Sequence, residues 1–405
     1  MKENKLLVGI LIILAVSVLA TGGVVTYVAL GQAQEGGAAA QASSAEQALQ
    51  DSLLAESEAA QTDTTPIGSH IAYMNDRGSD SPIYAINADT ENDESWQISS
   101  TDLVSGFSPT WSPDGRRVAY VGAREYLFNN DNDVPLEIWV STIGSANSES
   151  QHLQVSPVIS DTVLFRTPPT WSPDGALLAF VTQEPTRVNN SATIHIVRTD
   201  GSGTEREIAF PRHIQQLTWS PTKDELLIIS GNPRNSDTMI VHTMSTNGSD
   251  ITEVFQGSTT ADWLPDGESI VVGDLRSQEV LIVGLNQDGQ EQSARSIAQT
   301  VLQPVKVAWS PSGDHVAVAT SGHYRQGFAT IMRVINVESG EIATVAEGDG
   351  WVGWPSWSSD GQRMLFTWGE LSAPMADLWV YDTVTGQLDQ LTTDDGFQGA
   401  GDWSP

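Results

Sequence analysis

The sequence contains no cysteine, and only four of its 405 residues are lysines. Without cysteine there is no disulfide framework, no thiolate metal site and no thiol nucleophile, so the fold depends on packing alone. Nineteen basic residues stand against 51 acidic ones, which gives a formal net charge of −32. Because a polyanion of this kind repels nucleic acid and anionic lipid, neither is expected as a partner.

Charge is also missing from residues 6–30, which follow two lysines at the start of the chain. An apolar stretch of 25 residues can cross a hydrocarbon core of about 30 Å as a helix. We therefore predict a cytoplasmic tip at 1–5, a transmembrane signal anchor at 6–30 and a location outside the cytoplasmic membrane for the rest. The alternative is a cleaved signal peptide, which would leave a secreted protein.

Residues 31–64 contain few large apolar side chains and are rich in alanine, glutamine, serine, glycine and glutamate. Such a segment cannot bury enough apolar surface to offset the entropy lost on folding. We therefore predict a low-complexity stalk at 31–64 and a single folded region at 65–405.

A phrase that begins with tryptophan recurs through the folded region. It reads WSPDGRRVAY and then WSPDGALLAF at its first two occurrences, and the shortened form GDWSP ends the sequence. Successive tryptophans of the phrase lie 44 to 60 residues apart, a spacing typical of β-propeller blades with four antiparallel strands. We expect these tryptophans to fill the core between blades: Trp111, Trp171, Trp219, Trp263, Trp309, Trp357 and Trp403.

The rest of the phrase has a local structural meaning. Ser-Pro-Asp-Gly favours a type I turn, and the apolar run behind it favours a buried second strand. The folded region begins with TPIGSHIAY, which resembles this turn and second strand but has no tryptophan strand before it. We predict that GDWSP supplies that strand, so that the two ends of 65–405 build one blade together. The fold class is thus an all-β, seven-bladed propeller.

The repeated PTWSPDG phrase, followed by an IY or IWV strand and then LTT, is similar to the TolB-type propeller repeat of WD-repeat-like proteins. The resemblance covers residues 65–405 and implies the fold more than a function. Proteins with such repeats include periplasmic interaction subunits, propellers attached to serine peptidases and metal-dependent pectin lyases. TolB itself has an α/β domain before a six-bladed propeller, whereas this chain has seven tryptophan phases, so we carry over no role or partner.

The two faces of the predicted ring differ in loop length. The turns between first and second strands are short, whereas the connections on the opposite face contain insertions. Long loops on one rim of a rigid scaffold are where binding functions are usually found, and Trp, Tyr and Arg dominate binding hot spots. We therefore predict that the long-loop face binds a protein or an extracellular polymer through Tyr126, Phe128, Phe165, Arg166, Tyr324, Arg325, Trp351, Trp354 and Trp368.

An enzyme is the less favoured reading. The sequence has neither a Gly-x-Ser-x-Gly nucleophile elbow nor a His-Glu-x-x-His zinc helix. A metal-dependent polysaccharide lyase is the alternative function, with His213 and His323 as metal ligands, although two histidines are fewer than such a site normally uses. Calcium could be bound by Asp131 and Asp133 with Glu137, but the spacing is not that of an EF-hand. No other cofactor is expected.

Overall fold

We analysed a computed structural model of the chain. It describes residues 16–20, 23–27, 69–89, 95–126, 134–143, 150–156, 167–183, 191–232, 235–286, 289–324, 327–369 and 375–405. The chain divides into two units, Met1–Pro66 and Ile67–Pro405.

The first unit has two described strands and not the predicted membrane helix. Strands β1 (Val16–Ala20) and β2 (Gly23–Tyr27) pair as an antiparallel hairpin. Valine is the commonest residue in both, and β-branched side chains favour extended backbone over helix. Within the described residues, no helix has the length and apolarity needed to cross a bilayer. The predicted stalk at 31–64 lies outside the described residues.

The second unit consists of seven four-stranded antiparallel sheets, which confirms the predicted propeller. Six sheets are built from consecutive strands, and we number these blades 1 to 6. Blade 1 comprises β6 (Ser105–Trp111), β7 (Arg117–Ala123), β8 (Leu136–Thr142) and β9 (Gln151–Gln154). Blade 2 comprises β10 (Thr170–Trp171), β11 (Leu177–Gln183), β12 (Ala192–Arg198) and β13 (Thr204–Phe210). Blade 3 comprises β14 (Ile214–Trp219), β15 (Glu225–Ser230), β16 (Ile240–Ser245) and β17 (Thr252–Gln256).

Blades 4 to 6 follow the same order. Blade 4 comprises β18 (Ser258–Trp263), β19 (Ser269–Asp274), β20 (Glu279–Leu285) and β21 (Glu291–Gln299). Blade 5 comprises β22 (Gln303–Trp309), β23 (His315–Tyr324), β24 (Gly327–Asn336) and β25 (Ile342–Gly348). Blade 6 comprises β26 (Trp351–Trp357), β27 (Arg363–Gly369), β28 (Asp377–Asp382) and β29 (Leu388–Gln390). A 3-10 helix, Ser236–Thr238, precedes β16 in blade 3.

Blade 7 combines the two ends of the second unit. Its strand order is β30 (Phe397–Trp403), β3 (His70–Asp76), β4 (Ile83–Asn87) and β5 (Trp96–Gln97). Trp403 pairs with Ile71, the register that Trp111 has with Val118 in blade 1. The GDWSP segment therefore supplies the first strand of the blade that begins at His70, and the ring closes without a covalent link.

The long and the short connections between strands lie on opposite faces of the ring, as the order of the strands requires. The turn between the first two strands is short in each case, and Gly115 of the first such turn adopts a φ of 67°, which glycine accommodates without strain. Connections on the opposite face, which we call the long-loop face, include residues 124–135, 155–169, 184–191 and 231–239. Several of these residues lie outside the described part of the chain.

Candidate functional site

The blade tryptophans are buried and link neighbouring blades. All seven are between 4% and 7% exposed. In four blades the indole Nε1 donates to the carbonyl of the residue directly before the tryptophan of the preceding blade, which we call the pre-Trp position, whereas the Trp219 indole donates to the Lys223 carbonyl. Four of these hydrogen bonds, 3.1 to 3.4 Å long, are Trp171 to Thr110, Trp263 to Thr218, Trp357 to Ala308 and Trp111 to Asp402.

Side chains at the pre-Trp position make a second set of links between blades. Their oxygens accept the backbone N–H of the tryptophan in the next blade. These hydrogen bonds are Trp219 to Thr170 Oγ1 at 2.9 Å, Trp309 to Asp262 Oδ2 at 3.0 Å, Trp403 to Ser356 Oγ at 3.0 Å and Trp111 to Asp402 Oδ2 at 2.8 Å. The pre-Trp position thus serves packing and also determines what faces the centre of the ring.

At the centre of the ring lies a cavity of about 190 Å³. All seven blades line it, through their innermost strands or the residues that lead into them. Hydroxyl, amide and charged groups are interspersed with proline and one tryptophan on its wall. The residues on which the argument below depends are Gln216, Asp262, Lys306, Trp354, Ser356 and Asp402.

The innermost strands of three neighbouring blades adopt a left-handed backbone conformation at the cavity. Ser108, Trp354 and Ala400 each lie three residues before a blade tryptophan and have φ values of 49°, 49° and 51°. The strand register shifts at the same points, so that each strand carries an extra residue there. A positive φ is costly for a residue with a side chain, and such strain concentrates at functional sites. All three residues line the cavity.

Asp402 is held entirely by protein donors. Its Oδ2 accepts the Trp111 N–H of blade 1, and its Oδ1 accepts the Ser356 hydroxyl of blade 6 at 2.9 Å. Burial raises the pKa of this carboxyl group, while the hydrogen bonds from Trp111, Ser356, Trp403 and Thr110 act in the opposite direction. Asp402 therefore fastens blade 7 to the blades on both sides.

Asp262 occupies the same position in blade 4 but has different neighbours. Its two oxygens accept the backbone N–H groups of Trp263 and Trp309, each at 3.0 Å. Burial raises the pKa of Asp262 to about 6, against the opposing effects of these N–H donors and of Lys306 in blade 5. Burial also lowers the pKa of Lys306, while the charge of Asp262 raises it.

Three of the predicted rim residues make side-chain contacts in the structure. The Tyr126 hydroxyl donates to Asp76 Oδ1 at 2.8 Å, and the pKa of Tyr126 is raised to about 12 by burial and by that carboxylate. Trp354 packs edge to face on Phe397, with ring centroids 6.1 Å apart. The ring centroids of Trp368 and Trp379 lie 5.2 Å apart.

Of the other six predicted rim residues, two lie on described strands. The backbones of Trp351 and Tyr324 belong to strands β26 and β23. Phe128, Phe165, Arg166 and Arg325 lie outside the described residues. The predicted binding role of these residues stays a prediction.

The predicted metal ligands do not come together in the part of the chain that the structure describes. His213 precedes blade 3 and makes a 3.0 Å hydrogen bond with the Gln183 amide, whereas His323 lies in blade 5. The buried Glu137 is bound by Arg124 and by the Trp139 indole at 2.8 Å. Asp131 and Asp133 lie outside the described residues. No group of three His, Asp or Glu suited to a metal ion occurs among the residues described.

Sequence reasoning did not single out Asp262, Lys306, Asp402 or Gln216. A usable signal was present, because residues one and three places before a strand residue lie together on the opposite face of a regular strand. Aligning the seven phrases on tryptophan would have placed two aspartates at the pre-Trp position and one of four lysines two residues further back.

Comparison with known proteins supports the fold more than any activity. The family model described as "Eukaryotic translation initiation factor eIF2A" matches residues 166–347, which cover blades 2 to 5 and less than half of the chain. An "Uncharacterized peptidase YuxL" from Bacillus subtilis (strain 168) is 27% identical over 206 residues, or 50% of this chain and 29% of that protein. This chain therefore spans less than a third of that relative.

Two solved structures resemble the chain at low sequence identity. An "Oligogalacturonate lyase in complex with manganese" is 13% identical, with a TM-score of 0.56 over 78% of this chain and 86% of that one. TolB from Acinetobacter baumannii is 14% identical, with a TM-score of 0.49 over 83% of this chain and 67% of that one. The seven four-stranded sheets confirm the predicted resemblance to the TolB-like propeller repeat at the level of the fold.

Proposed function

We propose that the propeller is a binding module that holds a protein or an extracellular polymer on its long-loop face. The observation that carries this proposal is a group of aromatic and apolar side chains at the long-loop ends of blades 6 and 7, which we call the aromatic rim. It consists of Trp354, Trp368, Met375, Trp379 and Phe397.

The aromatic rim has the character of a contact surface. Its four aromatic side chains are half-buried, and Met375 is 43% exposed. Aromatic residues and methionine are enriched in protein interfaces because they offer large apolar area while remaining adaptable. The face of an aromatic ring also suits the apolar side of a sugar ring, which is why a polymer remains within the proposed class. The net charge of −32 favours a neutral or basic partner.

The experiment compares rim variants with a matched control on the opposite face. Trp368→Ala and Met375→Ala are combined, and Val384→Ala, which alters a 71% exposed side chain in the β28 to β29 turn, serves as the control. We expect the rim variant to lose crosslinked partner in native membranes by at least tenfold, with an unchanged circular dichroism spectrum. Equal capture by the rim variant and the control would reject the proposal.

The location outside the cytoplasmic membrane is part of this proposal and rests on the uncharged segment at 6–30. It is tested by adding protease to intact cells and to lysed cells. Digestion of the propeller in both samples is the expected result. Protection in intact cells whose outer layers have been made permeable would place the module in the cytoplasm.

A metal-dependent lyase is the second candidate, favoured by the fold shared with the manganese-bound oligogalacturonate lyase. His213 and His323 are the predicted ligands. The purified propeller is loaded with manganese, freed of unbound ions and assayed for bound metal and for cleavage of oligogalacturonate. Stoichiometric metal and cleavage, both lost in the double His→Ala variant, would favour the lyase over the binding module.

A further inference from the structure

We propose that the central cavity binds a small zwitterion, a molecule that carries one carboxylate and one ammonium group, between Lys306 and Asp262. This site shares Trp354 with the aromatic rim, but it does not depend on the proposed function. Lys306 lies on the innermost strand of blade 5, and Asp262 on that of blade 4. Both line the cavity.

The ammonium group of Lys306 is the first element of the site. It lies inside the ring, and among the described residues it has no hydrogen bond or ion pair. Its only resolved interaction is the longer-range attraction of Asp262. A lysine ammonium has three donors and no acceptor. Lys306 is half-buried, so its ammonium is only partly desolvated, and an anionic group of a ligand that enters the cavity is its natural partner.

Asp262 supplies the opposite pole. Each of its oxygens accepts one backbone N–H, from Trp263 and from Trp309. A carboxylate can accept about four hydrogen bonds in all, so each oxygen retains acceptor capacity. The remaining lone pairs can accept an N–H of a ligand ammonium. Asp402, at the equivalent position of blade 7, is less suited because four protein groups already act on its carboxylate.

The charge of the whole molecule selects a zwitterion over a simple anion. A protein of net charge −32 lowers the local concentration of anions, so a plain carboxylate is opposed on its way to Lys306. A simple cation would meet Asp262 but would also meet the positive charge of Lys306. A molecule with no net charge and two poles escapes the first penalty and satisfies both residues.

The remaining wall fits the apolar part of such a molecule. Trp354 and Pro355 of blade 6, with Pro109 and Pro168 of blades 1 and 2, give the cavity apolar surface beside its polar groups. The cavity, about 190 Å³, has room for a molecule of a few heavy atoms. The left-handed φ of Trp354 is a local cost to the fold, consistent with a side chain that is held in place for binding.

Binding is measured by isothermal titration with zwitterions of increasing charge separation: glycine, β-alanine and γ-aminobutyrate. Propionate and propylamine, which carry one pole each, are the matched controls. We expect at least one zwitterion to bind tenfold or more tightly than either control. The inference is rejected if no zwitterion binds, or if a one-pole compound binds as tightly as the best zwitterion.

Variants then assign the two poles. Lys306→Gln and Asp262→Asn preserve size and each should weaken zwitterion binding at least tenfold. The matched controls Lys223→Gln and Asp266→Asn alter exposed residues and should have no effect. Unchanged affinity in both cavity variants would overturn the site.

A measurement on the unaltered protein covers the case in which a cavity variant does not fold. Acetic anhydride modifies lysine amines, and the extents of modification at Lys306 and Lys223 are compared by peptide mass spectrometry. The bound zwitterion should protect Lys306 at least fivefold and leave Lys223 unprotected. Equal rates at Lys306 with and without ligand would contradict the inference.

Discussion

Blades 4 and 7 carry an aspartate at the same pre-Trp position, yet the two residues have different surroundings. In blade 7 the Asp402 carboxylate accepts hydrogen bonds from Trp111 of blade 1 and from Ser356 of blade 6, so each of its oxygens links blade 7 to a neighbouring blade. In blade 4, Asp262 fastens only the following blade and acts on Lys306. The comparison teaches that one repeat position can be used for closure in one blade and left available for a ligand in another.

The largest expected effect comes from deleting residues 401–405, which removes two of the five residue pairs between β30 and β3 in blade 7 together with the Trp403 side chain. Loss of a buried tryptophan alone costs about 3–5 kcal/mol, and the Asp402 links are lost as well. We expect the free energy of unfolding to fall by at least about 5 kcal/mol, measured by urea denaturation. Trp263→Ala in blade 4 is the comparison. If it costs as much as the deletion, the ring is not closed through β30.

Replacing each aspartate by alanine compares the two blades directly. Asp402→Ala leaves the Trp111 N–H and the Ser356 hydroxyl without their acceptor, which we expect to cost about 2–4 kcal/mol. Asp262→Ala leaves the Trp263 and Trp309 N–H groups without this acceptor, but only the bond to Trp309 joins neighbouring blades, so we expect a smaller cost of about 1–2 kcal/mol. Equal losses in urea denaturation would show that Asp402 has no special part in closure.

A smaller effect concerns pH. The pKa of Asp262 is raised to about 6 in the folded protein, whereas an unfolded aspartate titrates near pH 4. Between about pH 4 and pH 6 the unfolded chain releases this proton and the folded protein retains it, so stability falls as pH rises through that window. We expect the stability of Asp262→Asn relative to the native protein to increase from pH 4 to pH 6 and then level off. A difference in the free energy of unfolding between the two proteins that stays constant from pH 4 to pH 6 would contradict the raised pKa of Asp262.

The smallest effect concerns the contact between Pro405, which follows β30 of blade 7, and the first turn of blade 1. Gly115 has a φ of 67°, and a Cβ at this residue would lie 3.7 Å from the Pro405 carbonyl oxygen. Gly313 has a φ of 82° in the equivalent turn of blade 5, where the nearest atom is 4.0 Å away. Both distances are ordinary van der Waals contacts. Gly115→Ala and Gly313→Ala should therefore each lower the free energy of unfolding by about 1 kcal/mol, from backbone strain alone. A larger loss at Gly115 would show that Pro405 packs more tightly than this on blade 1.

Much of the fold was predictable because one tryptophan per blade fixed both the period and the missing strand. Trp403 and Ile71 pair as the aligned phrases require. The N-terminal helix was predicted from length and lack of charge, whereas the described strands follow the β-branched valines. An apolar run alone does not distinguish the two structures.

The cavity was harder to predict than the fold for a physical reason. Alternation along a strand predicts which side chains face the centre, but the extra residue at Ser108, Trp354 and Ala400 interrupts that alternation. Trp354 was predicted as a rim residue, and it both contacts Phe397 and lines the cavity. The link between Asp402 and Trp111 depends on blade order, which a local pattern does not contain.

The noncovalent closure of blade 7 has a consequence for how the gene could be rearranged. The Ser404 N–H donates to the His70 carbonyl at 2.8 Å, the same bond that joins Ser112 and Arg117 in blade 1. Joining Pro405 directly to Ile67 would spell WSPIGSHIAY, which matches WSPDGRRVAY in length and turn position. The ring thus has no first blade in a topological sense, and a circularly permuted chain could open at any other short turn while retaining every joint described above.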